Sequence, residues 1–191
     1  MTGRLQGTTV GICPTHFEHP PLAAIYSYWS EKRGTRTMPA RADINPPELR
    51  EHPGWIILLD VLPDLSDFRY RLTGTKVARY FGSDSTGRTV SEAFRPFGTG
   101  AVKGVLAIHR KTARDRVPVV AHGEAAWLAE GYDNFTTIYL PLSDDDTTCN
   151  MILSAFVFDY AVVRASSESA LPCPRRQPAV IELSQICHKR G

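Results

Sequence analysis

Apolar positions along this chain follow two periods, and the change of period marks out the elements. In "PPLAAIYSYWSEKRG" (20–34), Leu22, Ile25, Tyr26 and Trp29 recur at i, i+3, i+4 and i+7, the stripe of an amphipathic helix. Pro20 and Pro21 suit its start and Gly34 its stop. "WIILLDV" (55–61) is apolar on both faces and predicts a strand covered on both sides. "FRYRLT" (68–73) alternates, with Phe68, Tyr70 and Leu72 on one side and Arg69, Arg71 and Thr73 on the other. "TKVARYFG" (75–82) predicts a short helix closed by Gly82. "GSDSTGRTVSEAF" (82–94) predicts a loop and one helical turn with Ser91 as its N-cap.

The longest helical pattern is "AVKGVLAIHRKTARDR" (101–116). Val102, Val105, Leu106, His109 and Ala113 share one face, and Lys103, Arg110, Lys111 and Arg114 lie away from it. Three predicted strands follow, at 117–129, 135–143 and 149–160. The connections "EGYDN" and "SDDDTT" are hairpin-length and rich in turn residues.

Irregular stretches set the predicted domain limits. Residues 1–19 carry no period and read as a flexible arm. Residues 20–54 hold the first helix and a proline-rich connector, in which Asp43 or Asn45 caps a short turn through "PPELR". The main domain spans 55–163. Residues 164–191 form a Ser/Pro/Arg-rich tail in which "AVIELSQI" (179–186) is a small element that docks back.

Hairpins at both ends of a helical middle predict an α+β domain with a five-stranded antiparallel sheet. "WIILLDV" and "MILSAFVF" belong at its centre, because a strand apolar on both faces needs both covered. "FRYRLT" lies outside on one side and the 117–143 hairpin on the other. The helices between 75 and 116 cover one face, leaving the 20–34 helix for the other.

Composition narrows the function classes. The chain has 191 residues, 42% of them hydrophobic and 22% charged, with a formal net charge of +2. That balance is ordinary for a globular domain and too mild to imply nucleic acid. No apolar run approaches the roughly 18 residues that span a bilayer, and the N-terminus lacks a long apolar leader segment, so the expected location is cytoplasmic. Cys13, Cys149, Cys173 and Cys187 fit no zinc spacing, and His188 beside Cys187 does not make half of a tetrahedral site. "SDDD" (143–146) offers fewer oxygens than calcium requires and reads as a solvated turn.

Three runs carry a family resemblance: "YWSEKRGTRTMPARADINPPEL", "WIILLDVLPDLSDFRYRLTGTKVARYFGSDSTGRTV" and "YLPLSDDDTTCNMIL". Across residues 26–160 the chain resembles a single-domain bacterial PAS family of the alphaproteobacterial type. The resemblance implies a non-catalytic sensory or protein-interaction module that binds a small molecule between sheet and helices, or pairs with another PAS surface. No kinase, cyclase or helix-turn-helix segment is present, so output is expected through a partner protein.

Candidate site residues follow from the resemblance and the pattern together. His109 lies on the apolar face of the helix that lines PAS pockets, where haem-binding members take an iron ligand; the plainer reading is a core histidine with a hydrogen-bond partner. Covalent flavin photochemistry is excluded, since no cysteine occurs between Cys13 and Cys149; non-covalent flavin stays open, and the sequence requires no cofactor. Phe68, Tyr70, Leu72, Tyr80 and Phe81, with Phe94, Val105 and Tyr139, are expected to crowd the layer between sheet and helices, either as a filled core or around an apolar or aromatic ligand. Gly74, Gly82 and Gly87 match no phosphate-binding motif. His122 and Glu124 in "AHGEAAW" share a strand face; with no nucleophile or metal site beside them they read as an ion pair on an edge strand rather than the acid and base of a small α+β enzyme. A homodimer is expected, with Leu22, Ile25, Tyr26, Trp29, Arg69 and Arg71 as partner surface, and neither nucleic acid nor membrane as a partner.

Overall fold

The computed structural model describes residues 9–12, 19–49, 53–125, 132–160 and 181–182. Cys13, Cys173, Cys187, His188, the "EGY" of the first hairpin connection apart from its final strand residue, and tail residues 164–180 and 183–191 lie outside the described residues. In chain order the elements are β1 (Thr9–Ile12), α1 (Pro20–Arg33), β2 (Ile56–Val61), β3 (Phe68–Thr73), α2 (Thr75–Tyr80), α3 (Val90–Phe94), α4 (Thr99–Asp115), β4 (Val119–Glu124), β5 (Tyr132–Leu142), β6 (Met151–Tyr160) and β7 (Ile181–Glu182).

All pairings are antiparallel, in the order β3-β2-β6-β5-β4-β1-β7. The doubly apolar β2 and β6 are neighbours at the centre, with Leu58 opposite Leu153 and Ile56 opposite Ala155. Within the arm expected to be loose, Thr9–Ile12 instead form β1, pairing with β4 so that Val10 sits opposite Ala121. Val10 is buried among the helix-side core residues. This strand is too short to show a period in sequence, yet its backbone satisfies the outer edge of β4. Ile181–Glu182 from the tail then pair with β1.

Each face of the sheet carries its own apolar layer. One is covered by α2, α3 and α4, the other by α1 and the segment that follows it. The stripe on α1 does what its spacing predicts: Leu22, Ile25 and Trp29 are buried against Leu58, Ile138, Leu140 and Leu153. Trp29 Nε1–H donates to the Pro141 carbonyl at 2.9 Å, so the indole's one polar atom is satisfied inside the layer. Those three residues are therefore corrected as an exposed partner surface. Their face is filled by the chain's own sheet, whose apolar outer side would otherwise meet water. The connector completes this layer with Ile44 and Leu49. Met38 N–H donates to Asp146 at 2.9 Å and Ser143 N–H to the Pro39 carbonyl at 3.0 Å, fixing it to the β5–β6 turn.

A bulge changes the face assignments on β3. Leu59 pairs with Tyr70, but Leu58 pairs with Leu72, so Arg71 is an extra residue on the β3 side. Each extra residue turns the following side chains over. Leu72 consequently joins the α1 layer, not the helix-side layer that holds Phe68 and Tyr70. Its expected place in the pocket is corrected on this ground.

Helix ends also differ in detail. The N-cap of α3 is Thr89 rather than Ser91: its hydroxyl accepts from Glu92 N–H at 3.2 Å, and the Glu92 carboxylate accepts from Thr89 N–H at 2.8 Å. That reciprocal pair is a capping box, written in the sequence as T-V-S-E. Gly98 starts α4 at φ 93°, a conformation that favours glycine.

Candidate functional site

The layer between α4 and the sheet holds three rings that carry a polar atom among largely apolar neighbours. His109 projects from α4, Tyr70 from β3 and Tyr139 from β5; they are 3%, 6% and 6% exposed. The imidazole packs between Phe68, with ring centroids 5.0 Å apart, and Tyr139, at 4.9 Å. Each element brings its residue here for a local reason. On α4 the buried face is Ala101, Val105, Leu106, Ile108, His109, Thr112 and Ala113, wider than the predicted stripe by Ile108 and Thr112. Thr112 can join it because its hydroxyl donates to the Ile108 carbonyl at 3.1 Å.

Tyr70 is held from its backbone. Its N–H donates to the Arg88 carbonyl at 2.9 Å, and its carbonyl accepts from Gly87 N–H at 2.7 Å. The start of β3 is fixed as well. Asp67 accepts from Phe68 N–H at 2.7 Å and Ser91 N–H at 3.3 Å. Arg110 on α4 donates to the Leu65 carbonyl at 2.8 Å and the Ser66 carbonyl at 2.7 Å.

Hydrogen bonding sets the protonation of the histidine. Nδ1 lies 2.7 Å from the Val105 carbonyl, which can only accept, so Nδ1 carries the proton and Nε2 keeps a lone pair. Burial outweighs that hydrogen bond and the nearby negative charge of Asp67, pushing the His109 pKa down to about 4. The ring is neutral at pH 7. Burial also pushes both phenols far up, with Tyr70 further disfavoured as an anion by Tyr139. Among the described residues the buried side-chain atoms without a hydrogen-bond partner are Arg33 Nε and Thr73 Oγ1.

Beyond this polar group runs an aromatic wall. Trp55 stacks on Tyr80 at 5.6 Å, Tyr80 meets Phe158 at 4.7 Å, and Phe81 meets Phe156 at 5.5 Å. Phe156 stacks on Phe135 at 5.2 Å, and Phe94 lies 6.2 Å from Phe81. The structure thus gathers Phe68, Tyr70, Tyr80, Phe81, Phe94, Val105, His109 and Tyr139 in one layer. Sequence reading missed Phe135, Phe156 and Phe158 in this layer, and Trp55, which stacks on Tyr80 while packing against the α1 side. A signal existed for two of them: Phe156 and Phe158 are two apart in a strand and so share a face.

Other candidates resolve differently. His122 accepts or donates through Nδ1 to Thr136 Oγ1 at 2.9 Å, and among the described residues no ion pair joins it to Glu124. Its strand is also not an edge, since β1 and β5 flank β4. Asp145 accepts from the Ser143 hydroxyl at 2.8 Å and from the N–H groups of Thr147 and Thr148 at 2.8 and 2.6 Å. Those donors hold its carboxyl well below the usual carboxylate range and use it as a turn residue. Among the described residues no cluster of His, Cys, Asp or Glu is arranged to hold a metal ion, and no helix is long and apolar enough to cross a membrane. Arg69 and Arg71 are exposed, and Arg71 Nε lies 3.3 Å from Asp60. An open hollow of about 540 Å³ lined by Arg88, Glu92, Arg95 and Pro96 lies on the surface.

No curated protein and no solved structure matches the chain. A family model described as PAS domain matches residues 17–157, which include α1, the connector and β2 through most of β6. The five strands β3-β2-β6-β5-β4, with α2 to α4 on one face, are the α+β arrangement that match implies, and the chain belongs to the PAS domain family.

Proposed function

We propose that this chain is a non-catalytic sensory module that regulates a partner protein and is gated by a small ligand held between α4 and the sheet. Membership of the PAS family supports the signalling part. One arrangement carries the ligand part: a buried His109, its Nδ1–H committed to the Val105 carbonyl at 2.7 Å, packs against Phe68 and Tyr139 in the aromatic layer between α4 and the sheet. The proposed output surface is the β3 edge with Arg69 and Arg71, and the proposed assembly is a homodimer in which that edge contributes.

The test is extraction. Purified full chain is denatured in organic solvent and the released small molecules are identified by mass spectrometry against a heat-treated blank. A stoichiometric organic compound supports the reading; a chain that releases nothing, and that no compound in a metabolite extract stabilises against heat, overturns it. A second reading, a haem or flavin sensor, rests on His109, whose fixed Nδ1–H leaves Nε2 as a competent iron ligand. Phe68 and Tyr139 packed on the imidazole suit a guest smaller than a porphyrin. A Soret or flavin band after reconstitution would favour this second reading; its absence removes it.

A further inference from the structure

We propose that the open hollow at Arg88 and Arg95, beside the outer edge of β3, docks an acidic segment of the regulated partner protein, whose carboxylates pair with the two guanidinium groups. The inference rests on the partner-regulating reading above and names the partner chemistry that reading leaves open.

The hollow is built by the segment that closes part of the β3 edge. Tyr70 N–H donates to the Arg88 carbonyl at 2.9 Å, and Gly87 N–H donates to the Tyr70 carbonyl at 2.7 Å. Those bonds use the backbone groups of Tyr70, so a partner at this point is met by side chains rather than by an added strand. Arg88 N–H donates in turn to the Ser85 carbonyl at 3.0 Å, and its guanidinium to the Glu92 carbonyl at 2.8 Å. Arg95 and Pro96 follow in the tight turn Arg95–Phe97 after α3. Together Arg88, Glu92, Arg95 and Pro96 line a space of about 540 Å³. Arg69, exposed and opposite Thr89 in register, adds a third cation next to this segment.

Among the described residues no ion pair involves Arg69, Arg88 or Arg95. The neighbouring carboxylates are committed to their own loops instead. Glu92 accepts from Thr89 N–H at 2.8 Å, and Asp67 from Phe68 N–H at 2.7 Å. Asp84 accepts from Thr86 N–H at 2.8 Å and from the Thr86 hydroxyl at 2.7 Å. Arg71, by contrast, has Asp60 at 3.3 Å. A guanidinium presents paired donors that match a carboxylate. A single exposed ion pair is weak, so a free carboxylate gains little here. Several carboxylates on one chain reinforce one another, which favours a peptide segment. The chain's net charge of +2 is too small to favour nucleic acid over such a segment.

The test is a peptide titration on the full chain. The probe is a fluorescein-labelled peptide of alternating glutamate and serine, followed by fluorescence anisotropy. Its glutamine counterpart, inorganic phosphate and a short DNA duplex are the comparators. The glutamate peptide is expected to bind and the glutamine peptide not. Binding weakens as salt rises, since exposed charges are screened over about 10 Å at 0.1 M. Arg95→Gln changes an exposed side chain, so it weakens the peptide by roughly two- to fivefold and leaves the denaturation midpoint in place. Glu92→Gln keeps a side-chain oxygen for the Thr89 cap and removes the competing negative charge, so it tightens binding.

A glutamine peptide that binds equally well, or glutamate-peptide binding untouched by Arg95→Gln, overturns the site. Phosphate that displaces the peptide at equal concentration makes this a free-anion site and overturns the partner segment. A DNA duplex that binds more tightly at the same salt overturns the partner class. Self-association that falls in Arg95→Gln by light scattering, with no peptide bound by the parent chain, seats a second copy here and overturns the acidic partner. The extraction experiment does not depend on these arginines. A chain that releases a ligand but ignores the peptide therefore loses this site and keeps the sensory reading.

Discussion

His109 is the residue at which burial and chemistry meet most clearly. Its folded pKa of about 4 lies below the value near 6.5 of an unfolded chain. The unfolded state therefore takes up a proton first on acidification, and stability contributed by the neutral ring is complete above about pH 6.5 and lost as the pH falls towards about 4. The displacement corresponds to roughly 3 kcal/mol. Denaturant melts between pH 7 and pH 4.5 should show that loss, and His109→Gln should flatten it; an unchanged slope in the variant would place the titration elsewhere. Thr89 offers a second residue-level check. Thr89→Ala removes a reciprocal cap seen at 3.2 and 2.8 Å and should cost about 1 kcal/mol by chemical denaturation, whereas Ser91→Ala should cost much less. Both residues were visible in sequence, His109 by its helical face and Thr89 by its spacing to Glu92. What sequence could not supply was which atoms of His109 are committed, because that depends on the Val105 carbonyl lying 2.7 Å from Nδ1.

Among the elements, α1 changes most between pattern and structure. Its stripe correctly predicted a buried face, but periodicity cannot say whose surface does the burying. The outer face of the sheet supplies the answer, through Leu58, Ile138, Leu140 and Leu153. Trp29 is 1% exposed and hydrogen-bonded to Pro141, so Trp29→Ala should destabilise the chain by roughly 3–5 kcal/mol. Equilibrium unfolding checks this: a variant that keeps its stability and only dissociates would return α1 to the role of a dimer helix. Strand β3 gives the opposite lesson. Its alternation looks unbroken in "FRYRLT", yet Arg71 is a bulge and Leu72 faces α1. Nothing in those six letters marks it, because the bulge arises from how β3 pairs with β2. Strand β1 escaped for a related reason: four residues gain their order from β4 and not from their own pattern.

At the scale of the whole molecule, the order of the five central strands was legible because β2 and β6 are apolar on both faces, and only a central place covers both. The layer between α4 and the sheet was legible in part, through Phe68, Tyr70 and His109, while its far side of Phe135, Phe156 and Phe158 depended on partners brought from distant strands. With the α1 face filled, the proposed homodimer would use surfaces such as the β3 edge. Changing both Arg69 and Arg71 to Ala should weaken self-association in light scattering while leaving the melting temperature within a few degrees, since exposed pairs such as Arg71–Asp60 contribute about 0–1 kcal/mol; unaltered association would move the interface elsewhere. Native mass spectrometry of the full chain, purified without additives, tests ligand and assembly in one spectrum. A dimer whose mass exceeds two chains by a discrete small organic molecule per subunit, removed by mild collisional activation, is the predicted result. A bare monomer across tens of micromolar protein, unchanged after exposure to a metabolite extract, would contradict it.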